Sequence, residues 1–483
     1  MIELIIIFIF VLIVVITCIL VYFNKNEVKP KKVSIPIPTP LVPNLPPIDE
    51  DLNPMIVIPG LGGTNLDYSI DENFTSCNIE TINELKKIQP GLWISPLGLL
   101  LQKNCYLNMV KPVYDEDEQT LKNLPGLKVF PRENYFGDPL SSICLSYLFN
   151  STTKCFPLTD YSKNFVNYFT GKGYTPGYNL FIPGYDFRLV PYKEYADEYF
   201  DTLKELIEKT YETTGKKIHL IGHSLGTMLG NMFLNKMSKK WKKCYITDFI
   251  SISPSYDGAP KSLRSALSGY NFGLPDAINV GDLDFVYPER NMAGVAATIP
   301  LFPEMYGAID CDTNNDYSGN GEAIVLLFDN KEKSYNVNNY KDGIFGLIRD
   351  IIRDVNRYTG NTDNTKYLDS LIDIMMPIAK EKKKYAYSDP KVKVYQIIVQ
   401  PVSTECSYLY DASKGFTEGP IFTVKVVGDE DIPVYGTKIP EIYKWKNVTN
   451  KIFPPINNLD HYYAYADSTI VYDYIYDIVK NKK

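Results

Sequence analysis

The sequence predicts an α/β fold built on a mostly parallel sheet, and three observations carry that expectation. Short apolar runs alternate with an amphipathic helical stretch, the order that parallel strand pairing requires. One run leads into Gly222-His223-Ser224-Leu225-Gly226, with a helix-like stretch from Thr227 to Met237 behind it. The chain has 483 residues and is 45% hydrophobic, which suits one enlarged domain with insertions.

Taken in order, Leu4 to Phe23 is a run of twenty uncharged residues, just long enough to cross a bilayer. No small-residue cleavage site follows, so residues 1–24 read as a transmembrane signal anchor in preference to a cleaved signal peptide. Lys25, Lys29, Lys31 and Lys32 follow the run and favour a cytoplasmic side. Glycosylation sequons at Asn73, Asn150 and Asn447, with seven cysteines beyond the run, favour the opposite side. The expectation is a single-pass, membrane-anchored protein with a lumenal or extracellular globular domain, secreted if the segment is cleaved.

Residues 25–54 form a Pro-rich linker without periodicity. Strands are expected at Met55 to Pro59, Asn179 to Pro183, Lys217 to Ile221, Thr247 to Ser253, Val392 to Val399 and Phe422 to Val427. Between the second and third lies a helix, Tyr192 to Tyr211. Tyr192, Tyr195, Tyr199, Leu203, Leu206 and Ile207 share one of its faces, and Gly215 stands past its end. The stretch of about 260–390 breaks the rhythm and reads as an inserted cap. A last helix, Asp467 to Lys480, places Ile470, Val471, Tyr474, Ile475 and Ile478 on one face.

The net charge of −7 argues against nucleic acid as a partner. Gly222-x-Ser224-x-Gly226, set between strand and helix, has the pattern of a nucleophile elbow and points to an α/β-hydrolase fold. A serine nucleophile needs a histidine base, and the chain has three histidines. His219 lies in the strand and His223 adjoins the nucleophile, which leaves His461. The acid should follow a late strand and precede the base. Phe422 to Val427 delivers Gly428-Asp429-Glu430-Asp431, and Asp429, at the strand's immediate end, is favoured over Asp431.

Together these segments resemble the lecithin:cholesterol acyltransferase family, which includes lysosomal phospholipase A2 and the phospholipid:diacylglycerol acyltransferases. Ile58-Pro59-Gly60-Leu61-Gly62-Gly63 is similar to its early PG-x-x-G loop, and Gly184-Tyr185-Asp186-Phe187-Arg188-Leu189 to its PYDWRL motif. Ile221 to Gly226 matches IGHSLG, and Gly428-Asp429 stands where the family has its GD-x-TV acid. Gly184 and Phe187 replace the family's Pro and Trp, Asp257-Gly258 a frequent Trp-Gly, and Glu430-Asp431-Ile432-Pro433 the residues after the acid.

The resemblance implies acyl transfer from a phospholipid ester to a lipid hydroxyl, or to water as a phospholipase A. The alternative is a general carboxylesterase acting on soluble esters. The resemblance implies phospholipid substrate and a membrane or lipid-particle surface as partners, with a lipid alcohol acceptor possible; no CxxC or His/Cys cluster points to a metal, and no cofactor is expected. Beside the backbone N–H of Leu225, it adds Leu61 as the second oxyanion donor. It also implies a disulfide-closed lid at about 68–108, bridged by Cys77 and Cys105, with Trp93 touching lipid. Cys144 with Cys155 and Cys311 with Cys406 are further candidate bridges, which leaves Cys244 free.

Overall fold

The structure, a computed structural model, describes most of residues 52–480; the longer stretches outside the description are 268–278, 285–324 and 336–383. Six strands form the central sheet in the order Val448–Phe453, Val394–Val399, Ile246–Ile252, Ile218–His223, Met55–Ile58 and Leu180–Phe181. Every neighbouring pair is parallel. This is the sheet of an α/β-hydrolase.

Parallel strands covered on both faces read as continuous apolar runs rather than alternating ones. Ile218–His223 is buried throughout for that reason. Successive side chains still point to opposite faces. Ile56, Ile58 and Leu220 join one core, while Met55, Val57 and Ile221 join the other. Helices Lys193–Thr214 and Leu225–Lys236 cover the first face through Tyr199, Leu203, Met228 and Met232. Helices Lys163–Thr170 and Thr469–Lys480 cover the second through Phe165, Phe169, Tyr472 and Ile475. Gly215, at a φ of +68°, ends the long helix as its position in the sequence implies.

Three readings are corrected. Phe422–Gly428 is a strand, but it pairs antiparallel with Val402–Asp411 in a separate four-stranded sheet. Its expected place in the central sheet goes to Val448–Phe453, an edge strand whose middle four residues, Thr449 to Lys451 and Ile452, face solvent. An edge strand exposed in this way leaves no apolar run to read. The inward face of the last helix is Val471, Tyr472, Ile475 and Val479, with Ile470 turned outward.

The third correction concerns the membrane. Among the described residues no helix is long and apolar enough to cross a bilayer, so the single-pass anchor is not supported. The longest, Lys193–Thr214, has 22 residues and carries charged side chains along its length. Leu4 to Phe23, on which the expectation rested, lies outside the described residues, as does most of the cap.

Cys77–Cys105 and Cys144–Cys155 are disulfides, and Cys244 is free and exposed. Cys406 is disulfide-bonded, while Cys311 lies outside the described residues. Between Cys77 and Cys105 the chain forms helices Ile79–Ile88 and Pro96–Leu101, with Ile82, Ile88, Leu92 and Leu97 turned into the protein. Closing a loop of 28 residues stabilises the fold by about 3.5 kcal/mol in the chain-entropy picture.

Candidate active site

The site sits where two neighbouring strands end together. Met55–Ile58 pairs with the elbow strand so that Ile58 lies opposite Gly222. The chain therefore leaves both strands at the same edge, one turning into Pro59 and Gly60, the other into Ser224. Ser224 adopts φ 50° and ψ −124°, a conformation that costs a non-glycine residue energy and is held by its surroundings. Its N–H donates to Ile252 (3.1 Å), and its carbonyl accepts from Thr227 N–H (2.8 Å). A Cβ on Gly222 would stand 2.5 Å from the Gly226 carbonyl oxygen, so the tight turn needs glycine there.

His461 arrives from a loop 237 residues further on and stands with Nε2 at 2.8 Å from Ser224 Oγ. Its Nδ1 lies 2.9 Å from Asp429 Oδ2. A carboxylate can only accept, so Nδ1 carries a proton, and in the neutral ring Nε2 is left to accept from the serine. The main chain is clamped as well, because His461 N–H donates to the Asp429 carbonyl at 2.8 Å. Asp429 Oδ1 accepts from Ile432 N–H (2.7 Å) and Asp431 N–H (3.2 Å). Burial opposes charge on His461, but the Asp429 carboxylate, its hydrogen bond, Asp431 and Asp460 outweigh it and push the imidazole up to about 9. Asp431 instead pairs with Lys261 at 2.8 Å, and Lys261 also reaches Glu430 at 3.1 Å.

His219 is buried in the strand, with Nδ1 2.8 Å from Asp248 Oδ1. His223 is buried too, its imidazole pushed down to about 3 by desolvation and by His461 beside it.

The loop from Gly60 to Gly63 is a tight turn in which Gly63 N–H donates to the Gly60 carbonyl at 3.0 Å. Gly62, at φ +68°, takes the position that calls for glycine. A Cβ on Gly60 would stand 3.0 Å from Ser224 Cβ, which brings this turn against the candidate nucleophile. The Leu61 side chain faces solvent, whereas Leu225 opens the elbow helix and is buried. The first amides of a helix have no partner within it, so Leu225 N–H begins a turn suited to anions.

Trp93 is half-buried rather than freely exposed. Its indole N–H donates to the Gly62 carbonyl (2.9 Å), and its ring meets Phe187 edge-on at 5.0 Å. Arg188 of the same motif as Phe187 is fully buried, paired with Asp186 at 2.6 Å and donating to the Val110 carbonyl at 3.0 Å. The motif thus ties the cysteine-bracketed segment to the sheet.

Tyr161 is the neighbour that sequence reasoning missed. Its hydroxyl accepts from Gly60 N–H and touches His223. With 38 tyrosines in the chain and no motif around this one, the sequence carries no signal for it. Cys144, Cys155 and Asp160 bring three potential metal-ligand atoms together, but both sulfurs are spent in the disulfide.

A family model described as lecithin:cholesterol acyltransferase matches residues 91–435. The chain belongs to that family. It is 29% identical over 234 residues to the phosphatidylcholine-sterol acyltransferase of Rattus norvegicus, covering 47% of this chain and 49% of that protein. It is 29% identical over 227 residues to the lysosomal phospholipase A and acyltransferase of Bos taurus, covering 46% and 52%. To the lecithin-cholesterol acyltransferase-like 1 protein of Arabidopsis thaliana it is 25% identical over 243 residues, covering 47% and 54%. The chain spans about half the length of the curated relatives it matches. Membership of the lecithin:cholesterol acyltransferase family makes it an enzyme-family protein and accounts for the order of its motifs.

Proposed function

We propose that this chain catalyses serine-dependent acyl transfer from a phospholipid ester, to a lipid hydroxyl or to water. Ser224 is the nucleophile, His461 the general base and Asp429 the acid that holds the base. One observation carries this reading: Ser224 Oγ, His461 Nε2, His461 Nδ1 and Asp429 Oδ2 make one hydrogen-bonded line of 2.8 and 2.9 Å steps. The named activities of the rat and bovine relatives support the substrate class.

In the first half-reaction His461 takes the Ser224 proton as Oγ attacks the ester carbonyl. Asp429 holds the ring in its tautomer and stabilises the imidazolium that forms. Negative charge then gathers on the carbonyl oxygen, where fixed N–H donors matter most. We assign those donors to Leu225 and Leu61, at the start of the elbow helix and in the adjoining turn. His461 returns the proton to the leaving lysophospholipid oxygen. An acyl-enzyme remains on Ser224 until an acceptor hydroxyl or water, deprotonated by His461, releases it.

Contact with a lipid surface falls to the cysteine-bracketed segment. There Leu101 is more than half exposed, while Trp93 is held on the turn it adjoins. The exposed Asn73 and Asn447 are the candidate glycan sites; Asn150 lies outside the described residues.

The test is to incubate purified protein with labelled phosphatidylcholine vesicles, alone and with sterol, diacylglycerol or a short alcohol, and to identify the acyl products. Free fatty acid alone means hydrolysis, and a new ester in one arm names the acceptor. No product in any arm, with turnover of a soluble ester, sinks the phospholipid reading in favour of a carboxylesterase.

A further inference from the structure

Two hydrogen-bonded threads join the Gly60–Gly63 turn to the segment that carries His461. In the first, Gly60 N–H donates to the Tyr161 hydroxyl at 2.9 Å, which lies 2.6 Å from His223 Nδ1. His223 Nε2 in turn lies 3.0 Å from the His461 carbonyl oxygen. The two ends fix the direction, because an amide can only donate and a carbonyl can only accept. His223 therefore carries its proton on Nε2, and Nδ1 accepts from the Tyr161 O–H. Burial keeps this imidazole neutral, so the thread has one polarity throughout.

The second thread runs alongside. Ser142 Oγ donates to the Gly63 carbonyl (2.9 Å) and meets Ser162 Oγ (2.6 Å), which lies 2.8 Å from the Tyr465 hydroxyl. The Tyr465 ring stacks on His223, centroids 5.0 Å apart and planes at 16°. Every side chain in both threads is buried, so water does not compete for these bonds.

We propose that Tyr161 and His223 are positioning residues that hold the oxyanion turn in register with the main chain of His461. This rests on the reading of Ser224, His461 and Asp429 given above. Acyl transfer moves a proton to His461 while charge develops beside the turn, so the base and the oxyanion donors must be right together. Asp429 clamps the base, and Trp93 and Ser142 hold the Gly62 and Gly63 carbonyls, but the Gly60 N–H is left to the first thread. The thread closes that gap through two side chains that hydrogen-bond neither Ser224 Oγ nor the His461 ring nitrogens. Both ring nitrogens of His223 are engaged, which leaves it no part as an alternative base.

The experiment is steady-state kinetics on a soluble short-chain ester, normalised to sites titrated with a fluorophosphonate. Tyr161→Phe deletes one oxygen and keeps the buried ring. We expect kcat per titrated site to fall about 10²-fold with KM little changed, the scale of a small misplacement of reacting groups. His223→Gln keeps an N–H for the His461 carbonyl but moves its acceptor, the amide oxygen, off the ring's Nδ1 position, so it breaks the geometry of the same thread. The double variant should then lose no more than either single one.

An unchanged kcat per titrated site in Tyr161→Phe, with only a lower Tm, overturns the proposal, and so do losses that multiply in the double variant. Should Tyr161→Phe not fold, His223→Gln is read by the same criterion. Ser224→Ala is the control that separates the two ideas. Labelling that persists there removes the nucleophile assignment itself, whereas labelling lost there beside an unaffected Tyr161→Phe removes the thread alone.

Discussion

Gly226 passes so close to Ile58 that a Cβ on the glycine would stand 2.1 Å from the Ile58 carbonyl oxygen. Both contact partners are backbone, and backbone cannot swing aside as a side-chain tip can. The second glycine of the elbow is therefore demanded by the approach of the elbow helix to the neighbouring strand, not by its own dihedral angles. Gly226→Ala should push helix Leu225–Lys236 off the sheet and cost about 3 kcal/mol, the upper end for overpacking. Denaturant midpoints measure this, and the active-site titre should fall with them. A variant as stable as wild type would mean the helix shifts freely.

The proposed acid is the carboxylate that meets His461. Asp429→Asn keeps the shape but loses the constraint on the tautomer, so kcat should drop by about 10⁴-fold. Asp431→Asn breaks the pair with Lys261 and removes a lesser support of the His461 charge, but leaves the Nδ1 hydrogen bond intact, so it should cost little activity. Turnover of both variants on one soluble ester ranks them. The reverse order would move the acid two residues along.

The raised His461 pKa links stability to pH. Its unfolded value is 6.5 and its folded value lies higher, so the charged ring stabilises the folded state fully below 6.5. That contribution is lost as pH rises through about 9. Asp429→Asn removes its principal source. The stability gap between wild type and Asp429→Asn should thus be wide at pH 6.5 and narrow by pH 10, read from denaturant midpoints at each pH. The same protonation predicts that the rising limb of kcat/KM lies above the ordinary histidine range.

Trp93 and Leu101 should separate by substrate. Trp93 holds the Gly62 carbonyl, so Trp93→Ala should lower turnover of vesicles and of a soluble ester alike. Leu101 is 54% exposed on the cysteine-bracketed segment, so Leu101→Ser should weaken activity on vesicles and spare the soluble ester. Equal losses from Leu101→Ser on both substrates would count against a lipid-facing role.

Much of the site was legible because its chemistry is local. Gly222, Ser224 and Gly226 report a turn confined to five residues, and the strand and helix beside them follow from patterns of similar length. With His219 inside the strand and His223 beside the nucleophile, the histidine count left only His461. The order of nucleophile, acid and base supplied Asp429 ahead of Asp431.

What the tertiary structure alone decided depends on contacts between distant parts of the chain. Phe422–Gly428 has the composition of any strand, and only its pairing with Val402–Asp411 assigns it to the second sheet. Val448–Phe453 escaped notice because an exposed edge strand needs no apolar face on its solvent side. The motif resemblance expects Trp93 to touch lipid, and only the fold shows that its N–H donates to Gly62, 31 residues away. Tyr161 reaches Gly60 across 101 residues and His223 across 62. A buried hydroxyl acquires its role from the donor and acceptor that folding places beside it, and neither is written in the residues next to it.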